Sequence, residues 1–115
     1  MSLYKNTKVW GSSAWTFLHC ISYTYPDNPT KKQRNEYKKF LLSLQYVLPC
    51  SICRDHTKKY FKENPVDDAL LSKERFVCYL IKLRNYINVH YKQQKKISLK
   101  NAKKSIQEQC ERNLS

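Results

Sequence analysis

Glycine is almost missing from this chain of 115 residues, with one copy at Gly11, and proline occurs only four times. Tight turns and β-hairpins draw on glycine for positive φ, so an all-β fold has little to be built from. Lys, Leu, Gln and Glu, which favour helices, fill much of the rest. Acidic residues are also scarce, nine Asp and Glu against 22 Lys and Arg, for a net charge of +13. That surplus can attract acidic proteins, nucleic acid or an anionic cofactor. It is scattered, however, as in Lys31-Lys32, Lys38-Lys39, Lys58-Lys59 and Lys103-Lys104, which reads as solvated helix faces rather than a nucleic-acid surface. No apolar run approaches membrane-spanning length, and the first residues carry no apolar signal core, so neither a membrane anchor nor secretion is expected. Five cysteines with one close pair do not form the even framework of a secreted disulfide scaffold. The expectation is one soluble, cytoplasmic domain over residues 1–115.

The apolar pattern predicts an all-α domain, a four-helix bundle plus a short fifth helix. Residues 12–25, with Ser12 or Ser13 as N-cap, place Trp15, Phe17, Leu18 and Ile21 at helical spacing up to the break at Pro26-Asp27-Asn28-Pro29. Thr30 and Gln33 fit a capping box for a second helix, which runs to Pro49 with Tyr37, Leu41, Leu44 and Leu48 on its stripe. A third helix spans about residues 50–62 and stops at Asn64-Pro65. The fourth runs from about Ser72 to Tyr91 on Phe76, Val77, Leu80, Leu83 and Ile87, and a last one starts near Ser98 with Leu99, Ala102, Ile106 and Cys110.

The stretch Pro49-Cys50-Ser51-Ile52-Cys53-Arg54-Asp55-His56 carries the strongest chemical signal. Proline suits a first helical turn. Two cysteines three apart then share a helix face, close to unpaired backbone N–H groups and the positive end of the helix dipole, an environment that favours thiolate. Arg54 and His56 add cationic character. A structural disulfide, or half of a zinc site with His56, are the plainer readings. Zinc wants a second close ligand pair, and Cys20, Cys78 and Cys110 do not supply one. Redox chemistry is therefore favoured, without choosing among redox families, and no metal site is expected.

A redox dithiol turns over only if something reoxidises it. Two segments could hold a flat aromatic cofactor: Trp10, Gly11, Trp15 and His19 on the first helix, and Lys82, Arg84, Asn85, Asn88 and Lys92 on the fourth. Each has an ordinary alternative, as core aromatics or as surface polar groups. In order, Trp10-Gly11, Trp15, Leu18-His19, Tyr25-Pro26, the Cys50–His56 segment and Asn85-Tyr86-Ile87-Asn88 resemble the FAD-linked sulfhydryl oxidases of the Erv/ALR family, in the short form encoded by large DNA viruses.

The resemblance implies FAD held in the bundle by Trp10, Gly11, Trp15, His19, Asn85 and Asn88, usually in a homodimer. It also implies a Cys50/Cys53 disulfide that oxidises a thiol-containing protein, with O2 reduced to H2O2. Cys50, as the more exposed sulfur, would meet the substrate and Cys53 the flavin. Arg84 and Lys82 stand where the family has histidines, which favours a diphosphate contact, and Tyr79 stands in place of a tryptophan. Ile81 and Ser98 fall where cellular members carry a structural disulfide, and no extra shuttle pair is present. These departures fit a reducing compartment, the host cytoplasm or a virion if the chain is viral, rather than the mitochondrial intermembrane space, with a small redox protein as direct partner. Cys20 and Cys78 read as small core residues. A surplus of aromatics on the first two helices, Phe17, Tyr23, Tyr25, Tyr37, Phe40 and Tyr46, suggests the dimer face. The competing class is a basic nucleic-acid-binding or zinc-binding module with structural cysteines.

Overall fold

Prolines and caps divide the chain into helices. The computed structural model describes residues 7–91 and 95–111, which form α1 (Thr7–Tyr23), α2 (Lys31–Val47), α3 (Ser51–Glu63), a 3₁₀ turn (Ala69–Leu71), α4 (Lys73–Tyr91) and α5 (Leu99–Glu111). The all-helical expectation holds, with no strand among the described residues. α1 starts at Thr7, about one and a half turns before the expected Ser12 or Ser13, with Gly11 carried inside the helix. It ends where Tyr25 N–H turns back to the Ser22 carbonyl (3.2 Å), just before Pro26. The capping box of α2 is formed in both directions. Thr30 Oγ1 accepts from the Gln33 amide at 3.1 Å, and Gln33 Oε1 accepts from the Thr30 amide at 2.9 Å.

α1 packs on α4 and α5, α2 packs on α3, and the 3₁₀ turn fits against α2 and α4. The main core joins Leu18, Leu41, Tyr60, Phe61, Leu70, Phe76, Leu80 and Leu83. Tyr25, Tyr37 and Phe76 meet edge to face there, with centroids 4.7 to 6.1 Å apart, and the Tyr25 hydroxyl donates to the Leu70 carbonyl at 2.7 Å. Tyr25 thus belongs to the interior and Tyr37 packs half-buried against it, which corrects their place among the surplus aromatics. Phe17, Phe40 and Tyr46 are exposed, while Tyr23 lies under the Lys73 ammonium and donates to Glu111. A second, smaller cluster of Val77, Ile81 and Ile106 holds α5.

No described helix is long and apolar enough to cross a membrane.

Candidate active site

Pro49 shapes the dithiol from outside the helix. A residue before proline is pushed out of the α region, and Leu48 adopts φ −56°, ψ 137°, so α2 stops at Val47. Cys50 is extended (φ −160°, ψ 119°) and is itself the N-cap of α3, its Sγ accepting the Cys53 amide N–H at 3.3 Å. The expectation that Pro49 opens the first turn is corrected: the sulfur takes the place of a capping hydroxyl. Arg54 reaches back to the Leu48 carbonyl, which also accepts the Cys50 amide N–H at 2.8 Å. These contacts clamp the turn. The expected order of exposure is reversed, since Cys50 is buried at 4 % whereas Cys53 is half-buried. The cause is the cap itself, which folds the Cys50 thiol back over the first turn.

Both cysteines line a cavity of about 280 Å³ that opens between the helices, near the small end of ligand pockets, roughly 300–1,000 Å³. Trp10, Gly11 and Trp15 of α1 form one wall, Leu44 and Leu48 of α2 another, with Leu83 and Ile87 of α4 behind them. His56 and Thr57, one turn beyond Cys53, complete it. Burial lowers the pKa of His56, with Asp55 opposing and Lys59 adding to the shift, so His56 is less of a cation here than its sequence position suggested. Trp10 Nε1 is buried with no hydrogen-bond partner among the described residues.

A second cavity of about 350 Å³ is lined by His19, Arg84, Asn85, Ile97 and one face of α5, including Asn101 and Gln109. The border between the two cavities is made by rings. Trp15 and His19, four apart on α1, stack at 5.7 Å and 24°, and the Arg84 guanidinium lies 5.7 Å from the Trp15 centroid. Burial first, and the Arg84 charge second, bring His19 down to about 4. It is therefore neutral at physiological pH, and its buried Nδ1 has no partner among the described residues.

An apolar, aromatic chamber with two sulfurs on its wall adjoins a polar chamber with a cation, and unpartnered Trp10 Nε1 and His19 Nδ1 lie in their walls. Such a donor set fits a flat ring system carrying a polar, anionic extension, which is the character of FAD. The candidate residues divide accordingly. Trp10, Gly11, Trp15, Cys50 and Cys53 face the first cavity, and His19, Arg84 and Asn85 face the second. Asn85 is already engaged at both ends of its amide, donating to the Ile97 carbonyl at 2.8 Å and accepting the Ile97 amide at 2.9 Å. Its visible task is to pin the segment leading into α5. Asn88 is buried but lines neither cavity, and Lys82 is exposed and lines neither. Lys92 lies outside the described residues.

Sequence reasoning missed His56 as a lining residue, although three-residue spacing from Cys53 places both on one helix face. It also missed Asn101 and Gln109, for which no local signal exists. The zinc reading finds no group of three or more His, Cys, Asp or Glu side chains able to hold a metal ion among the described residues.

Fold and site together define the class, an all-helical redox-type domain with a Cys-x-x-Cys pair on an aromatic-walled cavity. The chain belongs to the Erv1 / Alr family, whose profile matches residues 12–110. It is 40 % identical over 86 residues to a protein of Acanthamoeba polyphaga mimivirus described as a probable FAD-linked sulfhydryl oxidase, covering 70 % of this chain and 57 % of that one. It is 35 % identical over 78 residues to the FAD-linked sulfhydryl oxidase ERV1 of Arabidopsis thaliana, covering 68 % of this chain and 40 % of that one. The chain thus spans about half the length of these relatives. The crystal structure of the FAD binding domain of Erv1 from Saccharomyces cerevisiae superposes with a TM-score of 0.83 at 27 % identity, covering 90 % of this chain and 96 % of that one.

Proposed function

We propose that this chain is a FAD-dependent thiol oxidase that forms disulfide bonds in a thiol-containing protein and reduces O2 to H2O2. The observation that carries the reading is the opening of Cys50 and Cys53 onto the cavity walled by Trp10 and Trp15. The names of the two relatives support it. FAD held there would supply a two-electron acceptor for the dithiol and pass the electrons to O2. By the family resemblance, and against the order of burial of the two thiols in this state, a substrate thiolate attacks Cys50 Sγ of the oxidised protein and breaks the Cys50–Cys53 bond, releasing Cys53 as thiolate. A second substrate thiolate then attacks the mixed disulfide, and the substrate leaves oxidised by two electrons while Cys50 and Cys53 remain reduced. The Cys53 amide, directed at Cys50 Sγ, and the N-terminus of α3 stabilise negative charge on sulfur. Trp15 and neutral His19 offer stacking faces, Arg84 meets anionic groups in the second cavity, and Asn85 fixes that cavity's frame.

The partner is a small redox protein. Lys58 and Lys59, exposed on the dithiol helix, favour an acidic one by steering its approach. A homodimer is supported by the apolar side chains that α1 and α2 leave exposed, Val9, Phe17, Phe40 and Tyr46. Ile81 and Ser98 in place of the structural disulfide of cellular members favour a reducing compartment as the place of work, the host cytoplasm or a virion if the chain is viral.

The deciding measurement is the absorbance spectrum of the purified chain before and after dithiothreitol under nitrogen. Flavin absorbance that bleaches on reduction in the parent, and persists unbleached in Cys53→Ser, is the expected result. A colourless protein that takes up no FAD on reconstitution overturns the reading.

A further inference from the structure

Two cysteines outside the dithiol face each other across the helix packing. Cys20 on α1 and Cys110 near the end of α5, 90 residues apart in the chain, bring their Sγ atoms to 2.7 Å. A disulfide needs about 2.05 Å, so the two sulfurs stand less than an ångström from bonding distance. Both sulfurs are half-buried, and both are thiols in this state. Burial, then the hydrogen bond with Cys20, push Cys110 up to about 12, so it remains a thiol at neutral pH.

The pair lies where the domain is thinly held. Ile106 is the one buried residue of α5, and the polar ties of that helix, Tyr23 to Glu111 and Glu74 to Lys103, are exposed. Yet α5 supplies one wall of the cavity that contains His19 and Arg84. We infer that Cys20 and Cys110 are a second redox pair, whose disulfide staples α5 to α1 and fixes that wall.

The reaction is thiol–disulfide exchange with an external disulfide. Cys20 attacks one sulfur of the acceptor and releases its first thiol. Cys110 then attacks Cys20 Sγ, forming the Cys20–Cys110 bond and releasing the second thiol. The protein loses two electrons and two protons, and the acceptor gains both. The inference does not depend on flavin binding or on the Cys50/Cys53 chemistry.

The test uses the full chain carrying Cys50→Ser and Cys53→Ser, so that only the other cysteines react; serine serves as an N-cap at position 50. The protein is equilibrated with oxidised glutathione or with dithiothreitol, then mapped without reduction and melted. A peptide linking Cys20 to Cys110 is expected, with a melting temperature about 10 °C above that of the reduced form, because the bond closes a long loop. Adding Cys110→Ser should remove both the link and the rise, with helicity by circular dichroism unchanged. Separate glutathionylation of Cys20 and Cys110, or a link from either to Cys78 or to another chain, overturns the inference. A Cys20–Cys110 link that leaves the melting temperature unchanged overturns the staple.

Discussion

The two cavities that meet at the Trp15–His19 stack are built on different supports. The dithiol cavity has its walls in α1, α2, α3 and α4 and borrows its rigidity from the main core, in which Leu41, Phe76 and Leu80 are fully buried. The second cavity has Arg84 and Asn85 on a firm side and α5 on a weak one, where a single buried isoleucine, two exposed polar ties and the Asn85–Ile97 clasp do the holding. One side of the site is thus set by hydrophobic burial, which is strong and non-directional. The other is set by a few directional contacts that can be made or broken locally. Chemistry that demands fixed geometry lies on the first side, and the part open to adjustment lies on the second.

The sharpest way to break this comparison is to remove a ring from the main core and an aliphatic anchor from α5. Phe76→Ala should cost about 3–5 kcal/mol in denaturant unfolding and weaken the whole domain in one transition. Ile106→Ala should fall toward the low end of roughly 2–5 kcal/mol, with its effect confined to faster amide exchange in α5. Loss of protection throughout the domain in Ile106→Ala would show that α5 is part of the main cooperative unit.

His19, at the border, offers a pH test. Its folded pKa is near 4, below the value of 6.5 for the unfolded chain, so the unfolded state takes up the proton first. Stability is then complete above about pH 6.5 and is lost as pH falls toward about 4, by on the order of 3 kcal/mol. His19→Gln should flatten most of that limb in melts recorded from pH 7 to pH 4. Half-buried His56, whose pKa is lowered as well, leaves a smaller slope in the same direction. An unaltered limb in His19→Gln would place the proton uptake elsewhere and detach His19 from the border's electrostatics.

The smallest expected effect concerns Gly11. A Cβ added there would stand 3.5 Å from Thr7 Cβ, an ordinary contact, so Gly11→Ala should stabilise α1 by about 0.5–1 kcal/mol through reduced backbone entropy. A lower melting temperature would mean that the dithiol cavity is packed more tightly against α1 than its walls indicate.

Local chemistry made much of this domain readable in the chain. The capping box at Thr30 and Gln33, the breaks at Pro26, Pro29, Pro49 and Pro65, the stripe Phe76, Leu80, Leu83 and Ile87, and the i, i+4 pairing of Trp15 with His19 all depend on neighbours within a turn or two. Each acts through backbone sterics or helical spacing, which sequence encodes directly. The Cys50/Cys53 pair was legible for the same reason, whereas the burial of Cys50 was not, because it follows from the cap conformation of a single residue. Tertiary structure alone decided which polar residues meet. It divided one expected cofactor site into two chambers, turned Asn85 toward Ile97, left Lys82 on the surface, and drew Tyr25 into the core with Tyr37 packed half-buried against it. It also placed Cys20 beside Cys110. Contacts between residues 90 apart depend on how α1 and α5 are held against α4, and that packing is the sum of many weak apolar contacts whose pairing no local pattern specifies.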